Sequence, residues 1–277
     1  MSIITLTSDF GIKDHYVASV KGQILSWNPM TQIIDLSHCI DAYNLGQSAY
    51  VWMGAYRHFP KNTCHFILVD SEVEDYEQFV VAKKDGQWIF VADNGWISIL
   101  APYVTFDEIY IFTKEKKYRN TYELYLEVWN QMCSGITIDD ISIKVELHET
   151  YTMSSLQPIV SEDQTEIRGA VIYDDHYGNV ITNISKKIFE EIGKGRPFQF
   201  RVSRYSMNRI HESYSDFNTD VKPLKEFEGD SLLLFNDVDL LQISIYKSSP
   251  STGTVKSLFG LRYQDTVIVQ FFNEPKQ

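Results

Sequence analysis

Three short β-branched runs, Ile3 to Thr7, Gln32 to Leu36 and His65 to Val69, are separated by two stretches with helical spacing, Tyr16 to Trp27 and Asn44 to Arg57. Few architectures accept that order. Parallel strands need a crossover of about a dozen residues or more, which a helix supplies, so the alternation predicts a mostly parallel sheet covered by helices. The second stretch carries an apolar stripe at Ala49, Val51, Trp52 and Tyr56. Further strands are expected at Phe79 to Lys83, Trp88 to Ala92 and Glu108 to Phe112, and a helix from about Tyr122 to Met132.

After residue 160 the period changes. Ile167 to Ile172, Phe198 to Val202, Ser231 to Phe235, Leu241 to Ile245 and Thr266 to Phe271 are short β-runs divided by Gly, Asp, Ser and Pro turns. They predict a small β-barrel or sandwich with one helix at Lys186 to Ile192. Residues 1–160 and 161–277 are therefore expected to form an α/β domain and a smaller C-terminal β-barrel domain, joined through the polar stretch Met153 to Glu166.

Composition removes several function classes. A hydrophobic content of 44% with 14% aromatics excludes a largely disordered chain. A net charge of -12 argues against nucleic acid as a partner, because phosphate binding rests on clustered Lys and Arg. Cys39, Cys64 and Cys133 have neither zinc-ribbon nor disulfide-framework spacing, and no histidine pair has metal-ligand spacing, so no metal site is expected. No apolar run approaches a membrane span and no signal peptide is visible, which gives the expectation of a cytoplasmic protein.

The chemistry is concentrated at strand ends. Thr7-Ser8-Asp9-Phe10-Gly11-Ile12-Lys13-Asp14 follows the first strand and precedes the first helix, and in open α/β sheets ligands lie at that end of a strand. Ionised Asp9 and Asp14 are acceptor-only groups suited to a ribose diol or a cation. Capping of the helix explains either one equally well. Tyr177-Gly178-Asn179 is likewise a ligand turn or simply a hairpin, and His38 reads as a structural hydrogen-bonding residue.

Four segments in order resemble one family. They are Thr7 to Gly11 with Asp14 and Val20-Lys21-Gly22; Ile34-Asp35-Leu36-Ser37-His38; Ala92-Asp93-Asn94-Gly95; and Asp174-Asp175-His176-Tyr177-Gly178-Asn179-Val180-Ile181-Thr182-Asn183-Ile184. Together they are similar to the S-adenosylmethionine (SAM) hydroxide adenosyltransferases, or SAM hydrolases, whose superfamily includes fluorinating and chlorinating enzymes. The resemblance spans nearly the whole chain. It implies an N-terminal Rossmann-like α/β domain, a C-terminal β-barrel, and a homotrimer binding SAM between one subunit's N-domain and a neighbour's C-domain, with SAM as substrate or ligand and no cofactor. It implies that Asp9, beside Phe10, holds the ribose hydroxyls and that Asp14 helps hold the methionine end. Asp174 or Asp175, with Tyr177 and Asn179, would add methionine contacts, and Asp93 and Asn94 would complete the binding set. Tyr43 falls where the family places an aromatic near the sugar and sulfonium, a contact worth about 1 kcal/mol.

The resemblance also exposes departures. Asp70 matches the Asp that orients the attacking water. The Pro-Gly-Val-Gly segment and its Arg are replaced by Ser71-Glu72-Val73-Glu74-Asp75-Tyr76-Glu77-Gln78. A Phe-His-Gly-Arg-Asp element becomes Tyr122-Glu123-Leu124-Tyr125-Leu126, with Glu123 at the His position, and the terminal Asn-x-Gly-Asn-Ala region becomes Tyr246 to Gly253. Asp70 and Glu123 are thus the candidate catalytic residues. Water is the expected nucleophile, since an acidic loop without a compensating cation disfavours a halide. The expectation is a divergent SAM hydrolase releasing adenosine and methionine; the alternative is a catalytically degenerate SAM- or adenosine-binding trimer acting as a sensor or scaffold.

Overall fold

The N-terminal β-branched run forms β1 (Ile3–Ser8), the strand around which the first half of the chain is organised. A computed structural model describes residues 3–72, 74–114, 118–153, 156–249 and 251–273. Val73 of the acidic loop, Ser154 and Ser155 of the expected boundary, and Pro250 of the altered terminal region lie outside the described residues. The chain divides into two compact units, Met1–Ser155 and Leu156–Gln277.

In the first unit β1 is joined by β2 (Gln32–Ser37), β3 (Cys64–Leu68), β4 (Gln78–Lys84), β5 (Gln87–Ala92), β6 (Glu108–Thr113) and β7 (Ile143–Lys144), in the sheet order β2-β1-β3-β5-β4-β6-β7. β1 runs parallel to both β2 and β3, and β3 runs parallel to β5. β4 is antiparallel to its neighbours β5 and β6. The cause lies in the two residues between β4 and β5. Asp85 (φ 51°) and Gly86 (φ 77°) are both left-handed, as the tight two-residue hairpin turn requires, and such a turn permits only antiparallel pairing.

The helices of this unit are α1 (Tyr16–Trp27), α2 (Leu45–Ala55), α3 (Trp96–Leu100), α4 (Thr121–Cys133) and α5 (Ile138–Ile141). Alternate strand residues point to opposite faces, and both faces are covered. Ile4, Leu6, Phe66, Leu68 and Phe90 form a core with Val20 and Ile24 of α1 and with Tyr125 and Trp129 of α4. On the other face Trp52 of α2 is fully buried, edge-on to His65 and to Trp96 of α3.

A polar chain crosses that second face. The Thr5 hydroxyl is 2.7 Å from His65 Nδ1, and His65 Nε2 is 2.6 Å from Gln87 Oε1. Gln87 Nε2 donates to the Tyr56 and Phe59 carbonyls, so its oxygen must accept. His65 therefore carries its proton on Nε2 and accepts from Thr5 on Nδ1. Burial holds its pKa at about 4, which keeps the imidazole neutral and every group in the chain satisfied.

The second unit contains β8 (Ile159–Val160), β9 (Glu166–Asp174), β10 (Val180–Ser185), β11 (Phe198–Val202), β12 (Tyr205–Met207), β13 (Ser231–Phe235), β14 (Leu240–Ile245) and β15 (Thr266–Phe271). Their order is β12-β11-β15-β9-β10-β14-β13, and β8 pairs with β9. Beyond β12, Ile210 bridges to Leu233 of β13, and the His211 N–H donates to the Leu233 carbonyl at 2.7 Å. The sheet thus nearly closes into a barrel around Ile167, Phe200, Leu233, Ile243 and Val267. In α6 (Lys186–Gly193), capped by the Ser185 hydroxyl, Phe189 packs against Phe198, Phe235 and Phe271. A last helix, α7 (Val255–Phe259), is capped by Thr254. Among the described residues no helix is long and apolar enough to cross a membrane.

Candidate functional site

After β1 the chain passes through α1 to β2 on one side and then returns through α2 to β3 on the other, so the connections diverge between β1 and β3. Ligands of open α/β sheets occupy the crevice at such a point, beyond the carboxyl ends of the strands. A cleft of about 570 Å³ lies there, within the roughly 300–1,000 Å³ usual for small-molecule sites. Asp9 and Phe10 follow β1 into it, Tyr43 enters from beyond β2, and Asp70, Ser71 and Glu72 follow β3; Asn120, Thr121 and Tyr122 at the start of α4 close one side, and His15, Tyr16 and Ser19 another. None of the described residues lining this cleft is a lysine or arginine.

Asp9 is held by the main chain. Its Oδ2 accepts from the Tyr43 N–H at 2.9 Å, and Gly11, at φ 70°, turns so that its own N–H reaches the His38 carbonyl at 2.7 Å. His38 is the structural residue expected: its Nδ1 is 2.7 Å from the Ser8 hydroxyl and its Nε2 3.1 Å from Asp35 Oδ1. Burial opposes ionisation of Asp35, yet the hydrogen bonds from Lys21 and His38 hold its carboxyl below the ordinary range. The ends of β1 and β2 are thereby fastened together.

Asp70 is held more tightly. Its backbone is left-handed at φ 46°, a conformation that Asp tolerates better than most residues. Asn94, almost fully buried, donates from Nδ2 to the carbonyls of Asp70 at 2.9 Å and Val69 at 3.3 Å. The Thr121 hydroxyl donates to the Ser71 carbonyl. The Tyr76 hydroxyl donates to Asp70 Oδ2 at 3.2 Å. Burial, and then the Asp70 charge, push the Tyr76 phenol far above its ordinary value, so it remains a donor.

The other candidates in this unit sit elsewhere. Asp14 is exposed and Asp93 is half-buried, and neither lines the cleft. Asp93 accepts the Tyr151 N–H at 2.9 Å, and burial raises its carboxyl despite that bond. Asn94 supports Asp70 from behind. Glu123 caps α4: it accepts from the Arg119 N–H at 2.9 Å and from Arg119 Nη2 at 3.1 Å, while Asn120 accepts the Glu123 N–H.

In the second unit the motif forms the turn between β9 and β10. Asp175 Oδ1 accepts the N–H groups of Tyr177 and Asn179, both at 2.9 Å, and its Oδ2 accepts from Asn179 Nδ2 at 2.8 Å. Gly178 is at φ 76°, and a Cβ there would lie 2.2 Å from Thr254 Cβ, so glycine is required twice over. Asp174 meets Lys256 Nζ with both oxygens at 3.0 Å. Tyr177 is exposed and Asn179 buried. The sequence reading thus found Asp9, Phe10, Tyr43 and Asp70 of the cleft but not Tyr76 or the Asn120-Thr121-Tyr122 wall. Asn before the helical stripe of α4 was the available signal, since a capping Asn fixes where a helix begins.

A fold of this class, with its cleft at the strand-order reversal, can be compared with known proteins. The profile of the SAM hydroxide adenosyltransferase N-terminal domain matches residues 4–142, and that of the C-terminal domain residues 169–268. The chain is 32% identical over 192 residues to the (R)-S-adenosyl-L-methionine hydrolase of Methanocaldococcus jannaschii, covering 67% of this chain and 68% of that protein. It is 31% identical over 100 residues to the enzyme of the same name from Thermus thermophilus, covering 36% and 38%. The fold is similar to the crystal structure of a conserved protein of Thermotoga maritima, with a TM-score of 0.72 at 21% identity over 98% of this chain and 100% of that one. The chain belongs to the SAM hydroxide adenosyltransferase family.

Proposed function

We propose that this protein is a SAM hydrolase, forming adenosine and methionine from SAM and water. One observation carries the reading. Asp9 and Asp70 share a cleft at the strand-order reversal, and each has one carboxylate oxygen anchored by a neutral donor while the other takes no hydrogen bond among the described residues. Family membership and the hydrolase relatives support it.

Asp9 is assigned to the ribose diol and Phe10 and Tyr43 to the nucleoside end, with the exposed Tyr43 ring available to a sulfonium. Asp174 and Asn179 of a neighbouring subunit are assigned to the methionine end, as the family resemblance implies. Asp70 takes a hydrogen bond from a water molecule and so aims the water's lone pair at C5′. As the C5′–O bond forms the C5′–S bond breaks, and the electron pair leaves on sulfur, giving a neutral thioether that needs no acid. The proton released by the water passes to Asp70 and then to solvent. Glu72 beside Asp70, with no lysine or arginine among the described lining residues, opposes an anionic nucleophile and leaves neutral water favoured. No cofactor is required. The active form is proposed to be a cytoplasmic homotrimer.

The lack of a lysine or arginine among the described lining residues also favours the alternative of a catalytically silent SAM or adenosine binder. Calorimetric titration of SAM followed by chromatography of the same sample decides: adenosine accumulating in proportion to protein supports the hydrolase, whereas binding with intact SAM supports the silent binder.

A further inference from the structure

Asp70 has three degrees of freedom that matter to a bound water: its backbone, the rotation of its side chain, and its charge. The backbone is fixed from one side, because buried Asn94 holds the carbonyls of Val69 and Asp70. That leaves the carboxylate free to turn unless something holds one of its oxygens. Among the described residues Tyr76 does so, through the 3.2 Å hydrogen bond to Oδ2. Its ring is itself restrained, packed on the edge of the main core with its centroid 6.4 Å from that of Phe79. A phenol differs from a guanidinium in one respect that bears on function. It orients the carboxylate without placing a positive charge beside it.

We propose that Tyr76 is a positioning residue, which pins Oδ2 of Asp70 so that Oδ1 faces the attacking water. This rests on the hydrolase reading. It gives the acidic loop after β3 a role: the segment supplies a neutral hydroxyl where a cation would otherwise orient the base. Tyr76 takes no part in bond making; its proton stays on the phenol while C5′–O forms and C5′–S breaks. The titratable groups that face the pair are Asp9, His15 and Glu72 in the cleft, Tyr122 at the start of α4, Asp75 on the same loop and Tyr151. Tyr125 of α4 interacts with Tyr76 from the core side.

The test is steady-state hydrolysis of SAM by the full-length wild type, Tyr76→Phe and Asp70→Asn across a range of pH. Tyr76→Phe keeps the ring and its packing and removes only the hydroxyl. Its kcat is expected to fall about 10- to 100-fold, the equivalent of one hydrogen bond to a charged group, with KM changed less than about twofold. The acidic limb of its kcat/KM profile is expected to move to higher pH, because a carboxylate that loses a donor is more easily protonated. Lost packing alone would not move that limb. Fluorotyrosine at position 76, which keeps the shape and strengthens the donor, is expected to move the limb to lower pH. Wild-type kcat and an unmoved limb in Tyr76→Phe, with turnover abolished in Asp70→Asn, overturn the proposal and leave the hydrolase standing. Full turnover by Asp70→Asn overturns the proposal and leaves a hydrolase whose base lies elsewhere, whereas absence of adenosine from the wild type overturns the hydrolase reading and the proposal with it.

Discussion

The cleft beyond β1 and β3 and the turn between β9 and β10 each present a pair of aspartates, and the two pairs are in opposite states. Asp9 and Asp70 each have one oxygen anchored by a neutral donor and one that takes no hydrogen bond among the described residues. Asp175 spends both oxygens inside its own turn, and Asp174 is matched by Lys256. Residue type therefore does not distinguish a carboxylate that can receive a ligand from one that shapes a loop; the remaining acceptor capacity does. In the second unit the turn itself is the product of Asp175, whose carboxylate also takes the Asn179 amide at 2.8 Å.

This contrast fails if the two pairs respond alike to substitution. Asp70→Asn is expected to lower adenosine formation on the order of 1,000-fold with SAM binding changed only a few-fold, as chromatography and calorimetry would read. An enzyme that tolerates it has its base elsewhere. The strands that carry the cleft supply the next effect. The unfolded chain protonates His65 near its ordinary 6.5, whereas the folded chain resists until about 4. The contribution is thus complete above about 6.5 and is lost as pH falls toward 4, by about 3 kcal/mol. Urea titrations at pH 7 and pH 4 should show that loss in the wild type and a correspondingly smaller one in His65→Gln.

Asp175→Ala is expected to destabilise the protein by about 2 kcal/mol, since it strips acceptors from the turn amides, and Asp174→Ala by under about 1 kcal/mol, since its ion pair is exposed. Equal losses in denaturant melts would erase the distinction between the two residues. The smallest effect is expected from Asp9→Asn, whose amide oxygen can still accept the Tyr43 N–H. SAM affinity should weaken about tenfold by calorimetry, with the melting temperature unchanged, because only the charge offered to the ligand is lost.

Much of this was legible in the residues. The β1-α1-β2-α2-β3 order follows from period alone, and the change to short β-runs marked the second fold. The direction of β4 is written in Asp85-Gly86, a two-residue hairpin signal that sets an antiparallel strand into a mostly parallel sheet. Near-closure of the barrel depends on Ile210 reaching Leu233, a contact between residues with no local pattern linking them. Asp9 and Asp70 were legible because strand ends are where function gathers. Glu123 stood at a plausible aligned position, yet in chain it is the third residue of a helix capped by Asn120, where a carboxylate turns back to the helix start. Tyr76 left no sequence signal, because its role depends on a loop folding back to the strand it left.

The anchor of Asp9 comes from the backbone of Tyr43, not from its side chain. Holding the carboxylate asks of position 43 only a left-handed main chain, here at φ 62°, which Gly or Asn would adopt with less strain than Tyr. Whatever ring or chain projects into the cleft from that position can thus be exchanged without disturbing the residue beside it. Ligand preference and the fixed geometry of the site are inherited separately, and selection is free to alter the first while conserving the second.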